Sequence, residues 1–226
     1  MSTHKLLASI SLFQNLAQED LADLATLLRE QKFKKGDVLF RKGSEGDVLY
    51  IIKEGAIKIV LPSRMGDERI VAIFSTGDFF GEMALLDGMP RSADAVAIKP
   101  STLLFLDRSV FLQFLKKSDA AIEKILLSLS LRLRKTDDLL EDTSFLNIPA
   151  RLAKKLLEIG ETLGTKDGET LKINLKLSQQ ELADMVGATR ESINKELRVL
   201  REKGLVSVVG NTTYIHDITR LKRRIR

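Results

Sequence analysis

The sequence predicts an α+β protein of three successive parts: a β-roll of jelly-roll type, one long helix, and a helix-turn-helix followed by a hairpin wing. Three observations carry this. Between residues 31 and 105 the chain reads as short β-branched runs cut by glycine, and eight of its 14 glycines fall there. From residue 118 to 143 the apolar positions change to a heptad spacing. Over residues 177–197 two short amphipathic segments flank a glycine, with two further strand-like runs behind them.

Taken in order, Asn15, Leu16, Ala17, Gln18, Glu19 and Asp20 lead into LADLATLL, a short amphipathic helix. Runs such as VLYIIKEGAIKIVL and ERIVAIF are β-branched and partly alternating, the pattern of a compact antiparallel sandwich or roll. Ile122, Leu126, Leu129, Leu133, Thr136, Leu140 and Thr143 then recur at spacings of 4, 3, 4, 3, 4 and 3. A seam of this kind packs on a copy of itself and predicts a parallel homodimer; the alternative is a long helix lying on its own core. The hydroxyl of Thr136 in an aliphatic seam needs a partner, either its own helix backbone or something arriving at the interface. Asn147 reads as an N-cap with Pro149 in the first turn of the helix ARLAKKLLEIGETLG. A glycine-containing loop over 164–170, two short helices and the strands LVSVVG and TTYIHD, joined at Gly210-Asn211, complete the chain. The expected divisions are 1–117, 118–146 and 147–226.

Composition narrows the function. A chain of 226 residues and 25.3 kDa, 44% hydrophobic and 30% charged, suits two ordinary domains. The absence of Cys excludes disulfide scaffolds, Cys-ligated zinc, iron–sulfur clusters and thiolate catalysis. The two histidines, His4 and His216, stand at opposite ends of the sequence, so neither a multi-His metal site nor a His-based triad is expected. No metal, cofactor or catalytic residue is assigned, and the chain is read as no enzyme. No apolar run approaches the roughly 20 residues of a membrane span. The opening MSTHKLLASISLF lacks the pattern of a signal peptide, so a cytoplasmic protein away from membranes is expected. Residues 150–226 carry 16 Lys/Arg against 10 Asp/Glu, whereas the preceding 149 carry 20 against 21. A near-neutral part joined to a basic part suggests a sensor attached to something that meets a polyanion; a merely solvated tail, LKRRIR, is the other reading.

The densest chemistry lies in Phe80-Gly81-Glu82-Met83-Ala84-Leu85 and, after a short loop, Pro90-Arg91-Ser92-Ala93. Glycine permits close backbone approach to an anion, Arg91 offers a bidentate fork to phosphate, and Ser92 adds a hydroxyl. Glu82 suits sugar hydroxyls instead, and is expected to pair with Arg91 when the site is empty. FGEMALLDGMPRSA resembles the phosphate-binding cassette of cyclic-nucleotide-binding domains. The resemblance implies that Glu82 binds the ribose 2′-hydroxyl while Arg91 and Ser92 bind the cyclic phosphate, helped by main-chain N–H groups of Ala84 and Ala93, with Gly81 and Met83 in the same loop. It also implies that Thr136 contacts adenine, favouring cyclic AMP as the effector. Asp137 stands where a serine is found in the best-known member of the family.

Residues 177–197 read as a helix-turn-helix. Ser178 and Glu181 form a capping box, Leu182, Ala183 and Val186 face inward, Gly187 turns, and Thr189 caps a second helix with a buried stripe of Ile193, Leu197 and Leu200. Arg190, Glu191, Asn194 and Lys195 lie on its exposed N-terminal part, which a recognition helix presents to the major groove of double-stranded DNA. The polar tip at Asn211 completes a wing. The segment is similar to the DNA-binding motif of the cyclic AMP receptor protein (CRP/FNR) family, in which R-E-x-x-x-[RK] carries the readout. The resemblance implies TGTGA-like half-sites, with Arg190 on a guanine and Glu191 on a cytosine amino group. Lys195 replaces the commoner arginine, and Ser178, Gln179 and Gln180 are expected on phosphates. It further implies a partner in RNA polymerase and points to the loop 164–170 as the contact. Without Cys the iron–sulfur sensors of the family are excluded, and the absence of His from residues 5–215 argues against its heme-binding branches.

Overall fold

A computed structural model describes residues 3–10, 12–13, 18–63, 66–168, 170–173, 177–210 and 212–225. The chain gathers into two compact units, Met1–Arg134 and Lys135–Arg226.

Among the described residues of the first unit, α1 (Thr3–Ser9) and α2 (Gln18–Leu27) precede eight strands: β1 (Arg29–Phe33), β2 (Val38–Phe40), β3 (Val48–Glu54), β4 (Ala56–Pro62), β5 (Glu68–Ser75), β6 (Phe79–Phe80), β7 (Asp94–Ala97) and β8 (Ser101–Asp107). A short α3 (Glu82–Asp87) interrupts them and α4 (Arg108–Lys117) follows. The strands form two antiparallel sheets, β1-β8-β3-β6 and β2-β7-β4-β5. Residues 15–17, expected to lead into α2, lie outside the described residues.

Strand β3 explains the unbroken apolar run VLYII. Leu49 and Ile51 point to a core shared with α1, α2, α4 and the following helix, while Tyr50 and Ile52 point between the two sheets. Both faces of this strand are therefore buried, and strict alternation of apolar and polar residues is lost. Strand β8 repeats the division, with Leu104 and Leu106 on the helical side and Leu103 between the sheets.

Helix α5 (Asp119–Phe145) is 27 residues long. Its first turns do lie on their own core, through Ala121, Ile125 and the partly buried Leu129. The rest of the seam does not: Leu126 is 58% exposed and Leu133 and Leu140 are each 63% exposed. Thr143 satisfies its hydroxyl by donating to the carbonyl oxygens of Leu139 and Leu140 in its own helix. Thr136 and Asp137 are exposed.

The second unit is organised on α6 (Ile148–Leu163). Asn147 caps it by accepting from the Ala150 N–H at 3.0 Å, with Pro149 in the first turn. The stretch 164–170 is not the loop the sequence suggests. It holds β9 (Gly164–Asp167) and the start of β10 (Thr170–Ile173), turned at Gly168 with φ 59°. GTKD is polar and its last three residues are exposed, so no apolar alternation marks it; pairing with β10 makes it a strand. Next come α7 (Gln179–Val186), α8 (Arg190–Glu202), β11 (Val206–Val209), β12 (Thr212–Ile215) and α9 (Ile218–Lys222), and the sheet order is β11-β12-β10-β9. Asn211, the expected wing tip, lies outside the described residues. The basic C-terminal segment is more than a solvated tail: Leu221 is fully buried and Arg224 pairs with Glu196 at 3.5 Å.

Candidate functional site

In the first unit the chain reaches the cassette through β6, whose Phe80 stacks on Tyr50 at 5.1 Å between ring centroids. Gly81 follows with φ 85°, a left-handed conformation that a side chain resists, and α3 starts directly after it. A Cβ at Gly81 would also stand 2.6 Å from Arg91 Nη1, so both backbone and space demand glycine.

Arg91 is the centre of the site. Its backbone is pinned by N–H donation to Ser44 O and by acceptance from Gly43 N–H, each 2.8 Å. The side chain is only 4% exposed. Nη1 donates to Gly81 O at 2.7 Å and Nη2 to Val48 O at 2.8 Å, while the guanidinium lies 4.4 Å from the Phe40 ring centroid and 5.5 Å from that of Tyr50. Its Nε is buried without a partner. Burial pulls the Arg91 pKa below the ordinary guanidinium value, against the opposing influence of Tyr50, Asp47 and Glu82. Burial likewise raises the Tyr50 phenol, which Arg91 partly offsets. A desolvated cation held by neutral carbonyls gains most from an incoming anion.

Glu82 is 1% exposed, and here the structure corrects the sequence reading. Its carboxylate does not pair with Arg91. Oε1 is taken by Nη1 of Arg132 on α5, and Oε2 is buried without a partner. Arg132 in turn donates from Nη2 to Phe79 O at 2.6 Å and lies 4.7 Å from the Phe74 ring centroid. Arg91 is committed to the carbonyls of Gly81 and Val48, which leaves Glu82 to the arginine arriving from α5. Arg132 was missed in the sequence. Its one signal is a cation four residues before Thr136, on the same helical face.

Around this pair, Ala84 and Ala93 are buried, Met83 and Ser92 are exposed, and the Ser92 hydroxyl donates weakly to Met83 Sδ at 3.8 Å. Gly46 was also missed: a Cβ there would stand 2.6 Å from Ala84 Cβ and 2.8 Å from Arg91 Nε. Gly46→Ala is expected to force Arg91 aside and lower unfolding free energy by about 1–3 kcal/mol, measured by urea denaturation. An unchanged midpoint would show that the loop yields freely. Thr136 and Asp137 belong to the second compact unit, on the exposed surface of α5. Among the described residues no group of three or more His, Asp or Glu could hold a metal, and no helix is long and apolar enough to cross a membrane.

In the second unit, the helix-turn-helix forms as its caps require. Ser178 Oγ accepts from Glu181 N–H at 3.1 Å and Glu181 Oε2 accepts from Ser178 N–H at 2.8 Å. Gly187 turns at φ 67°, its N–H and that of Ala188 both donating to Ala183 O. Thr189 Oγ1 accepts from Ser192 N–H at 3.2 Å and starts α8. Ile193, Leu197 and Leu200 are buried, which turns Arg190, Glu191, Asn194 and Lys195 outward together. Ser178 and Gln180 are exposed at the start of α7, and Gln179 is half-buried. A basic face led by the N-terminal turns of a helix fits a DNA groove.

Similarity to known proteins extends over both units. Residues 30–118 match the family model of the cyclic nucleotide-binding domain, and residues 150–224 that of the Crp-like helix-turn-helix domain. The CRP-like cAMP-activated global transcriptional regulator of Mycobacterium tuberculosis is 34% identical over 98% of this chain and 99% of its own length. The cyclic AMP receptor protein of Thermus thermophilus is 29% identical over 93% of this chain and 94% of its own. Among solved structures, the c-di-GMP-responsive global regulator CLP of Xanthomonas campestris superposes with a TM-score of 0.73 at 24% identity, covering 84% of this chain and 95% of that one.

Proposed function

The chain belongs to the CRP/FNR family of DNA-binding transcription regulators that carry a cyclic nucleotide-binding domain, and on that premise we propose that it is a homodimer which responds to cyclic AMP and reads a palindromic operator with TGTGA-like half-sites. The observation that carries the effector assignment is Arg91: a buried guanidinium, donating to main-chain carbonyls, with its Nε unpartnered. The cyclic phosphate is the counter-anion that this cation lacks. Glu82 accepts from the ribose, Ser92 leaves Met83 for the phosphate, and the exposed Thr136 supplies adenine recognition, with Asp137 beside it. The matching mycobacterial and Thermus relatives are named for cyclic AMP, which supports this choice.

Parts 1–117, 118–146 and 147–226 then have separate tasks: sensing, pairing and reading. The unpartnered apolar stripe of α5 supports pairing with a second copy, which sets two α8 helices about 34 Å apart for successive major-groove faces. Ligand shifts a two-state balance only by its differential affinity, so a ~100-fold gain in operator affinity needs about 2.7 kcal/mol of coupling. The β9–β10 hairpin is the surface proposed to meet RNA polymerase.

Operator selection with and without cyclic AMP tests the whole reading. Enrichment of a palindrome only with ligand is expected; equal enrichment in both arms would leave a regulator of another effector, or of none. The Arg132 hold on Glu82 and the aspartate at position 137 are what favour that second reading. Two substitutions sharpen the test. Thr136→Val is expected to weaken cyclic AMP in calorimetry while sparing the dimer, and equal affinity contradicts the adenine role. Arg190→Ala is expected to relax one operator position at a cost of about 1–3 kcal/mol, whereas a uniform loss over all sequences marks a phosphate contact instead.

A further inference from the structure

Among the described residues the buried polar or charged side chains are Glu82, Arg91, Asp94 and Ser101. Glu82 and Arg91 belong to the cassette, and Ser101 is spent on the main chain of Ala56 and Lys99. Asp94 is the remaining one. It opens β7 two residues after Ser92 and is 4% exposed. One carboxylate oxygen accepts from the Lys42 N–H at 2.7 Å and the other from Arg41 Nη1 at 3.0 Å. The Arg41 side chain is 66% exposed, so solvent screens that ion pair. The bond from Lys42 is the stronger hold, and its direction is fixed because a main-chain N–H only donates.

The loop that Asp94 holds is the one that grips Arg91. Gly43 N–H donates to Arg91 O and Arg91 N–H donates to Ser44 O, each at 2.8 Å. Ser44 closes the turn on Arg41 O through its N–H at 3.1 Å and its hydroxyl at 2.7 Å. Gly46 then passes so near that a Cβ there would stand 2.8 Å from Arg91 Nε. Residues 41–45 are exposed, so the loop has little burial of its own to keep it closed. We propose that Asp94 is a positioning residue for the nucleotide site: it anchors the loop 41–46, which clasps the main chain of Arg91 on both sides and sets its fork before the phosphate arrives. This rests on Arg91 as the phosphate ligand. Without the anchor Arg91 keeps its charge and its carbonyl partners, but the ligand has to close the loop itself. A loop closed one-tenth of the time raises the apparent Kd about tenfold.

The test separates the two bonds of Asp94 in the full-length protein. Asp94→Ala removes both, and is expected to raise the Kd of cyclic AMP in calorimetry by about ten- to hundredfold. It is also expected to speed amide hydrogen exchange at Gly43 and Arg91 in the absence of ligand. Asp94→Asn keeps an oxygen for the Lys42 N–H and drops only the charge opposite Arg41. That variant and Arg41→Gln are expected to bind within about threefold of wild type, with wild-type exchange at the two amides. Rescue by asparagine is a result that a general loss of stability would not produce. Unchanged affinity in Asp94→Ala overturns the proposal, and so does an Asp94→Asn as weak as the alanine variant. If the wild type takes up no cyclic AMP, the effector reading falls; exchange at Gly43 and Arg91 still judges Asp94, and equal rates in Asp94→Ala and wild type overturn its role.

Discussion

Replacing Arg91 by alanine is expected to cost cyclic AMP binding about 2–5 kcal/mol, a rise in Kd of roughly thirty- to several-thousand-fold. The reason is geometric as well as electrostatic. The guanidinium is pinned by Gly81 O and Val48 O and backed by Phe40 and Tyr50, so its fork is oriented before ligand arrives. The same substitution is expected to change the stability of the ligand-free protein far less, because it removes a cation whose burial already penalises its charge. Calorimetry with cyclic AMP and urea unfolding without it separate the two effects. Arg91→Lys keeps the charge but loses the planar fork, and is expected to fall between wild type and alanine. Undiminished cyclic AMP affinity in Arg91→Ala would remove the cassette from the account.

The double substitution Leu133→Asp, Leu140→Asp is expected to give a folded monomer at micromolar concentration. Both leucines are 63% exposed in the single chain, so their replacement leaves its core intact. In a paired seam, however, the carboxylates of the two copies would be buried close together without partners. Sedimentation or light scattering reads the mass. Operator affinity is expected to fall by about 10²–10⁴-fold, since two half-sites are then bound by separate molecules. A dimer that survives the change would show that another surface makes the contact.

The sequence disclosed those features whose chemistry is local. Caps declare themselves because Ser178, Thr189 and Asn147 bond within three residues of their own position. The α5 seam was visible because its apolar stripe recurs at heptad spacing along one continuous helix. The FGEMAL and PRSA segments were legible because Gly81 and Arg91 meet within ten residues. What stayed hidden is non-local. Arg132 reaches Glu82 over 50 positions, and nothing in LRLRK says which of its three cations turns inward. Gly46 matters only because Arg91 lies against it. Strand β9 exists through its neighbour, not through its residues.

The C-terminal turns of α5 belong to the same compact unit as α8. Only Leu146 and Asn147 separate α5 from α6, and Lys154 Nζ spans that corner to Asp142 Oδ1 at 2.7 Å. A joint so short and so braced has little slack in which to lose a rotation. Under the proposed pairing, a roll imposed on Leu140 by its counterpart is handed on as steering, with α5 as the tiller and the reading face as the rudder. In the proposed dimer, the angle at which two such chains grip each other thus chooses where along the double helix they are able to land.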